Sequence, residues 1–369
     1  GISHLFEHVV FRNIKNKYEN FYELLAMHGL CFQGSTYKKF VSFTIDGPQH
    51  EFDFAIEILC GLFDEIKLTS HDFNNEKGRI KAEIREKDRR SSLDFYFDSI
   101  VWKNSEVEKI VLGYCKTVDR VSVKKINEFR QKVLSAGNCF VYATGNISDE
   151  NLDALNKKIS ELDISQSNPG FTNTVTVNDE FFHREKKIWI KNNYWHYIQI
   201  GFDVDCSKYP GGVYDLLYAL LFNGDKALVY NYLSEDNPII YSYDSAFAQY
   251  DNVGNINFSF EVDRNKIEDV FKTVVELLNA AKDGRFNFEA NLNYEMFNWE
   301  LDLDKPSNLN WNMACYNHIL KTEPIDYSDE FYGRFRVTKK QVTDAAKDIF
   351  RRCNMTAVSY THLTLPTSD

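Results

Sequence analysis

The residues with the clearest potential for chemistry form the run His4-Leu5-Phe6-Glu7-His8 at the start of the chain. On a helix, two histidines four residues apart project from one face, one turn above the other. That separation allows both imidazoles to bind one Zn²⁺ ion, and the order H-x-x-E-H is a zinc-hydrolase signature. Because Glu7 directly precedes the second histidine, it can act as a base without occupying a coordination position. The spacing predicts a hydrolytic zinc site on a helix.

A catalytic zinc usually has three protein ligands and one open position for water, so another element must supply the third ligand. The polar segment Ser70–Arg90 predicts a helix with Ser70 as its N-cap. Its carboxylates Glu76, Glu83 and Glu86 are the candidates. Glu76 and Glu83 are seven residues apart and therefore share a helix face. Most charges on such a helix simply form a solvated surface, and a chance motif stays open at this point.

Taken together, the motif and a second helix with two glutamates seven apart resemble the pitrilysin-type (inverzincin) zinc metallopeptidases. This family includes insulin-degrading enzyme and the mitochondrial processing peptidases. The resemblance implies that His4, His8 and Glu83 bind one zinc ion per chain and that Glu7 is the general base. It also implies that Glu76 is a carboxylate that orients a ligand. The implied activity is zinc-dependent endopeptidase hydrolysis of peptides or unfolded segments.

Weaker features of the resemblance concern substrate binding. The second domain of the family usually carries L-R-x-x-x-G-L-x-Y, and its arginine and tyrosine reach the substrate. Here Tyr241 is present, but Ser234 replaces the arginine and Pro238 replaces the glycine. We expect Tyr241 to donate a hydrogen bond to a substrate carbonyl in the transition state, or else to be an ordinary packed tyrosine. Gln33 and Gly34 fall where the family has an edge strand that pairs with extended substrate.

Composition limits the class of protein. Hydrophobic residues make up 43% of the 369 residues, enough for the cores of about two domains. The formal charge of −11 argues against a nucleic-acid partner, because phosphate binding needs a basic face. Seven cysteines without C-x-x-C pairing favour a reduced, cytoplasmic protein. No apolar run is long enough for a membrane span. Because the motif begins at the first residues, we expect an N-terminal strand and any targeting signal to be missing.

The resemblance also implies the fold, which is α+β. We expect a tandem of two homologous domains, each a mainly antiparallel sheet packed against helices. The catalytic, zinc-binding domain is predicted over residues 1–162 and a linker over 163–184. A second homologous domain without a metal site is predicted over 185–358. The composition of residues 359–369 indicates a non-native tail.

A sequence pattern that occurs in both halves of the chain supports the prediction of two homologous domains. The sequences VSVKK from Val121 and VTKK from Val337 each lead into a helical pattern, an asparagine-containing turn and a β run. Other helices are predicted at Asn20–His28, His50–Ile66, Ser148–Leu162, Gly212–Phe222, Lys226–Leu233, Lys266–Lys282 and Thr338–Arg352. Strands are predicted at Phe40–Asp46, Cys139–Thr144, Lys187–Lys191, Tyr197–Asp203, Ile239–Gln249, Asn255–Val262 and Met355–Ser359.

Three functional interpretations remain. The first is the zinc endopeptidase. The second is a catalytically silent or partner-dependent subunit of a two-chain peptidase of the same family, which the missing arginine mildly favours. The third is a structural or binding protein with a chance motif, which would bind no stoichiometric zinc. Relatives of this length commonly pair, so the resemblance implies a homodimer or a heterodimer with a related subunit.

Overall fold

The structure is a computed structural model that describes residues 1–90, 92–166, 174–184, 195–319 and 335–360. Two compact units form. The first contains Gly1–Ser91, Lys109–Thr172 and Pro306–Asn312, and the second contains Ser92–Glu108, Asn173–Lys305 and Met313–Asp369. Residues 92–108 thus group with the second unit, whereas the sequence placed them in the first domain. The predicted strand Lys187–Lys191 and the tail residues 361–369 lie outside the described residues.

Helices dominate the described residues, with six strands among them. The helices are α1 (Ile2–Lys15), α2 (Phe21–Met27), α3 (Phe52–Cys60), α4 (Ser70–Arg90), α5 (Ser92–Val101), α6 (Cys115–Asp119), α7 (Val123–Val133), α8 (Asp149–Ser160), α9 (Gly211–Phe222), α10 (Leu228–Tyr230), α11 (Ile267–Asp283), α12 (Phe288–Leu303), α13 (Pro306–Ala314) and α14 (Lys339–Ile349). The strands are β1 (Cys31–Thr36), β2 (Val41–Asp46), β3 (Trp195–Asp205), β4 (Tyr243–Gln249), β5 (Val253–Asp263) and β6 (Met355–Tyr360).

In the first unit, α1 is held by its apolar face. Leu5, Val9 and Ile14 recur at helical spacing and are fully buried in the core of this unit. That burial turns the opposite, polar face of α1 toward α4 and β1, both of which contact it. Strands β1 and β2 form an antiparallel hairpin in which Gly34 lies opposite Phe43.

The second unit is built on a four-stranded antiparallel sheet in the order β4-β5-β3-β6. Alternate residues of the central strands point into the main core, as Ile198, Ile200 and Phe202 do on β3. The helices α9, α11 and α14 cover this face with their apolar sides. The predicted α+β class, with antiparallel sheets packed against helices, is confirmed.

The predicted strands have different outcomes. The strands predicted at Phe40–Asp46, Tyr197–Asp203 and Asn255–Val262 are present as β2, β3 and β5. The strand predicted at Cys139–Thr144 is wrong, because this segment pairs with no strand among the described residues and stays irregular. A β-favouring sequence without a hydrogen-bonding neighbour does not become a strand.

The start of α4 and the end of β6 each differ from the sequence prediction by one residue. The side chain of Thr69 accepts a hydrogen bond from the backbone N–H of Asp72 at 3.1 Å, so Thr69 caps α4 and Ser70 is its first residue. The strand predicted at Met355–Ser359 is present as β6, and it extends to Tyr360, which was predicted as tail. No helix among the described residues is long and apolar enough to cross a membrane.

Candidate metal centre

Helix α1 presents the three motif residues on its polar face. The rings of His4 and His8 stack edge to face with their centroids 4.8 Å apart. His4 is only 7% exposed, since its neighbours Leu5 and Phe6 anchor this end of the helix in the core. His8 is partly exposed. The i, i+4 spacing therefore gives the adjacent pair of imidazoles that the sequence predicts.

Helix α4 runs antiparallel beside α1, and carboxylates of α4 lie opposite imidazole and guanidinium groups of α1 in order along the contact. The three pairs are His4 with Glu83, His8 with Glu76, and Arg12 with Asp72. Residue numbers rise along α1 as they fall along α4, which is the pattern expected of antiparallel neighbours. The Arg12 guanidinium donates to Asp72 Oδ1 at 2.5 Å, and this hydrogen bond lowers the pKa of that carboxyl. The ion pair fixes α1 against α4 next to the histidines.

The Nε2 atoms of both histidines face one oxygen of Glu83. His4 Nε2 lies 3.5 Å from Glu83 Oε2, and His8 Nε2 lies 4.0 Å from it. Within the described part of the chain, these three residues are the one group of three or more metal-ligating side chains whose donor atoms lie within 4.8 Å of one another. Two donors about 2.1 Å from a tetrahedral zinc are about 3.4 Å apart. The donor set fits zinc with small side-chain movements.

Glu76 approaches the other ring nitrogen of His8. Its Oε2 atom lies 3.6 Å from His8 Nδ1, and its side chain is 3% exposed. Arg79 lies 3.3 Å from Glu76 Oε1 and offsets part of its charge. A carboxylate behind a ligating histidine fixes the ring orientation and raises its basicity. The third candidate, Glu86, is exposed and outside the group.

Glu7 adjoins the group of His4, His8 and Glu83 in the sequence but is not part of it. Thr36 on β1 donates a hydrogen bond from Oγ1 to Glu7 Oε2 at 2.5 Å. Gly34, two residues earlier on the same face of β1, lies against Glu7: an added Cβ would be 3.1 Å from Glu7 Cγ and 2.5 Å from Phe11 Cε2. Any larger residue at position 34 would therefore force Phe11 or Glu7 to shift where β1 approaches α1. The absence of a side chain at Gly34 thus leaves room for the side chain of Glu7 beside β1.

A cleft of about 380 Å³ opens beside these residues, within the first unit. It is lined by Glu7, His8, Phe11, Arg12, Lys15, Tyr22, Phe32, Gln33, Gly34, Glu76 and Arg79. Gln33 and Gly34, which the sequence proposed for substrate binding, are thus brought next to the predicted base. Gln33 stands on the exposed side of β1. The cleft has room for a short stretch of peptide beside the motif.

Tyr241 lies in the second unit, and its side chain is 96% exposed. Among the described residues of this chain it belongs to no packed core. Its hydrogen bond to substrate stays a prediction. The sequence did not identify Thr36 or the Arg12–Asp72 pair, because both depend on how α1 lies against β1 and α4. The only available signal was the alternation of β1, which places Thr36 and Gly34 on one face.

The comparisons with known proteins agree with this architecture. Residues 1–113 match the family model "Insulinase (Peptidase family M16)" and residues 120–290 match "Peptidase M16 inactive domain". No protein of curated function matches the sequence.

Solved structures share the fold at low sequence identity. A protease from Helicobacter pylori has a TM-score of 0.83 at 18% identity, covering 97% of this chain and 88% of that one. A peptidase M16 inactive domain from Pseudomonas fluorescens gives 0.74 at 14%, covering 92% and 82%. A chain of complex III2 from Candida albicans gives 0.75 at 13%, covering 97% and 85%. The two family models span well over half of the sequence, and the chain belongs to peptidase family M16, the insulinase family.

Proposed function

We propose that this protein is a zinc-dependent endopeptidase that hydrolyses peptides or unfolded segments. The observation that carries the proposal is the clustering of the donor atoms of His4, His8 and Glu83 next to a cleft that Glu7 and His8 both line. A base next to a metal-ligand set and an opening for substrate is the arrangement that zinc-dependent hydrolysis of a peptide bond uses.

His4, His8 and Glu83 would hold the zinc, and Glu76 would orient His8. Zinc bound there supplies a Lewis acid that lowers the pKa of water to about 7. Glu7 would accept the proton of the attacking water and pass it to the leaving amine. The hydrogen bond from Thr36 keeps one carboxylate oxygen of Glu7 fixed, which leaves the other to move the proton. The edge of β1 that pairs with no strand among the described residues would align the peptide backbone by strand addition.

The first test is the zinc content of the purified protein and of Glu83→Gln. We expect about one zinc per chain, weakened or lost in the variant because a carboxylate ligand is replaced by an amide. Glu86→Gln is the matched control, since Glu86 lies on the same helix outside the donor group. A well-folded protein without zinc would reject the proposal.

The second test separates the base from the ligands. Glu7→Gln should keep its zinc and lose peptide hydrolysis, because the amide cannot accept the proton. Hydrolysis of a quenched fluorescent peptide, measured beside zinc content, gives both quantities on one sample. Substantial turnover by Glu7→Gln would show that another residue acts as the base.

A catalytically silent or partner-dependent subunit is the second candidate. Two observations favour it: residues 120–290 match a family model described as an inactive domain, and Ser234 stands where the family has arginine. Arginine would bind a peptide carbonyl or carboxylate with two donors, which serine cannot do. This candidate predicts that zinc binds but that hydrolysis appears only when a related subunit is added.

We further propose that the protein works as a homodimer or as a heterodimer with a related subunit, in the cytoplasm. The support is the pairing habit of the family and the seven cysteines, all of which are free thiols. A molar mass measurement by light scattering tests the pairing. A mass of one chain at micromolar concentration, with full peptidase activity, would reject it.

A further inference from the structure

The cleft beside the candidate metal centre has a basic end. Arg12 and Lys15 on α1 and Arg79 on α4 line it, and we call these three residues the basic rim. They continue the face that carries the histidines, because His8, Arg12 and Lys15 follow one another at helical spacing. In a chain with a formal charge of −11, this cleft is lined by three cations beside the two carboxylates of Glu7 and Glu76.

The charges of the basic rim are compensated unequally. Arg12 is paired with Asp72, and Arg79 with the buried Glu76. Lys15 has no ion pair with any residue that the structure describes. Its Nζ atom instead lies 4.5 Å above the centre of the Tyr22 ring, a cation–π contact that holds the ammonium without neutralising it. Lys15 is therefore the one cation of the basic rim without a carboxylate partner among the described residues, and Glu7, which accepts a hydrogen bond from Thr36, is the other charged lining residue outside these pairs.

The position of Lys15 along α1 sets the distance to the reacting bond. Lys15 follows His8 by seven residues, which is about 10 Å at the rise of an α-helix. An extended peptide covers that distance in about three residues. A peptide lying along β1, with its scissile bond at the histidines, would bring a side chain about three residues away to the basic rim.

We propose that the basic rim is a specificity subsite for a carboxylate side chain of the substrate, centred on Lys15. The inference rests on the proposed function and names its substrate class: peptides with Asp or Glu about three residues from the cleaved bond. The ammonium of Lys15 would pair with the carboxylate, and the two arginines would add to the local field. Such a preference weakens as salt rises, because the pair is partly exposed.

The experiment measures binding and cleavage separately. Labelled peptides that differ only by Glu or Gln at one position, scanned through five positions on each side of the scissile bond, are titrated into Glu7→Gln. Because that variant cannot cleave, fluorescence anisotropy reports affinity alone. We expect the Glu peptide to bind about threefold to fivefold more tightly than the Gln peptide at one position, the ratio of a partly exposed ion pair.

Variants then assign the preference to Lys15. In the Glu7→Gln background, Lys15→Gln should abolish the Glu preference and Lys15→Glu should invert it, while zinc content stays unchanged. Lys124→Glu changes the net charge as much as Lys15→Glu, on an exposed side chain outside the cleft, and should leave the preference intact. Equal affinity for both peptides at every position, or a preference that survives Lys15→Glu, would overturn the subsite.

Cleavage by the wild-type protein distinguishes this failure from failure of the proposed function. If the wild type cleaves peptides without preferring Glu, the peptidase proposal stands and the subsite proposal is rejected. If peptides with Glu bind more tightly but the wild type cleaves none of them, the carboxylate-binding subsite stands and the peptidase proposal is rejected. Preference for Glu at every position would indicate a diffuse field, which also contradicts a subsite centred on Lys15.

Discussion

The two units each contain a carboxylate that lies beside nitrogen-bearing side chains, and the two groups differ in their spacing. In the second unit, Asp203 accepts hydrogen bonds from Arg184 at 2.7 and 3.1 Å and from Asn255 and the backbone of Phe182 at 3.0 Å. In the first unit, Glu83 lies 3.5 and 4.0 Å from the nitrogens of two histidines. The first group is hydrogen-bonded directly, whereas the second has the spacing of ligands around an ion.

This difference separates a structural charge cluster from a candidate functional one. Arg184 also donates to the carbonyls of Ile100 and Val101, so its guanidinium connects a strand to helix α5. Such a network stabilises only while every member is present. Carboxylates and imidazoles that lie 3.5 to 4.0 Å apart gain less from one another than a charge-assisted hydrogen bond would give, and a cation bound between them would supply more attraction. The first unit should therefore depend on zinc and the second should not.

The largest expected effect tests the structural cluster. Arg184→Met should lower the free energy of unfolding by about 3 to 5 kcal/mol, because Asp203 is left buried without its charged partner. Chemical denaturation followed by circular dichroism measures the loss. The matched control is Lys208→Met, which removes an exposed ion pair to Asp348 and should cost at most about 1 kcal/mol. Similar losses in both variants would contradict the structural role of Asp203.

The next effect tests the carboxylate behind His8. Glu76→Gln should weaken zinc binding by about 10- to 100-fold, since the amide no longer raises the basicity of the imidazole. A competition titration with a chromophoric chelator measures the affinity. The unfolding free energy without zinc should change much less than in Arg184→Met. An unchanged zinc affinity would show that Glu76 only balances the charge of Arg79.

A smaller effect tests the contact between β1 and α1. Gly34→Ala should destabilise the first unit by about 1 to 2 kcal/mol, because the new methyl group meets the ring of Phe11 and the side chain of Glu7. Gly78→Ala is the matched control: a Cβ there meets nothing within 4 Å, and alanine favours the interior of α4. Destabilisation by both variants alike would reject the close approach at Gly34. Thermal unfolding of the two proteins decides between these outcomes.

Part of the candidate site followed from the sequence because helix geometry is local. The spacing of His4 and His8, and that of Glu76 and Glu83, placed each pair on one face before any fold was known. The antiparallel register of α1 and α4 came from packing and could not be derived locally. It determines that Glu83 meets both histidines while Glu76 meets His8 alone. The zinc itself stays a prediction.

Strands could be predicted from the sequence where a segment with a strand-like pattern also has a neighbouring strand to pair with. The segments around Ile200 and Phe258 alternate, and they pair with each other as β3 and β5. The segment 139–144 has the same kind of composition, but no described strand lies alongside it. The capping error has a similar cause. Thr69 and Ser70 carry equivalent hydroxyl groups, and only the path of the chain into α4 selects Thr69.

The smallest expected effect concerns pH and the ion pair that joins α1 to α4. The hydrogen bond from Arg12 lowers the pKa of Asp72 below its ordinary value of 3.8. A carboxyl with a lowered folded-state pKa contributes stability above the unfolded value and loses it as pH falls through the folded value. Stability should therefore decline below about pH 4. The stability of Asp72→Asn should decline less steeply below about pH 4. Above pH 5, the stabilities of Asp72→Asn and the wild type should change with pH in the same way. Denaturation midpoints measured from pH 2.5 to 7 give the pH dependence of stability for the wild type and for Asp72→Asn. If the stability of Asp72→Asn falls as steeply at acid pH as that of the wild type, the Arg12–Asp72 ion pair does not contribute to holding α1 against α4.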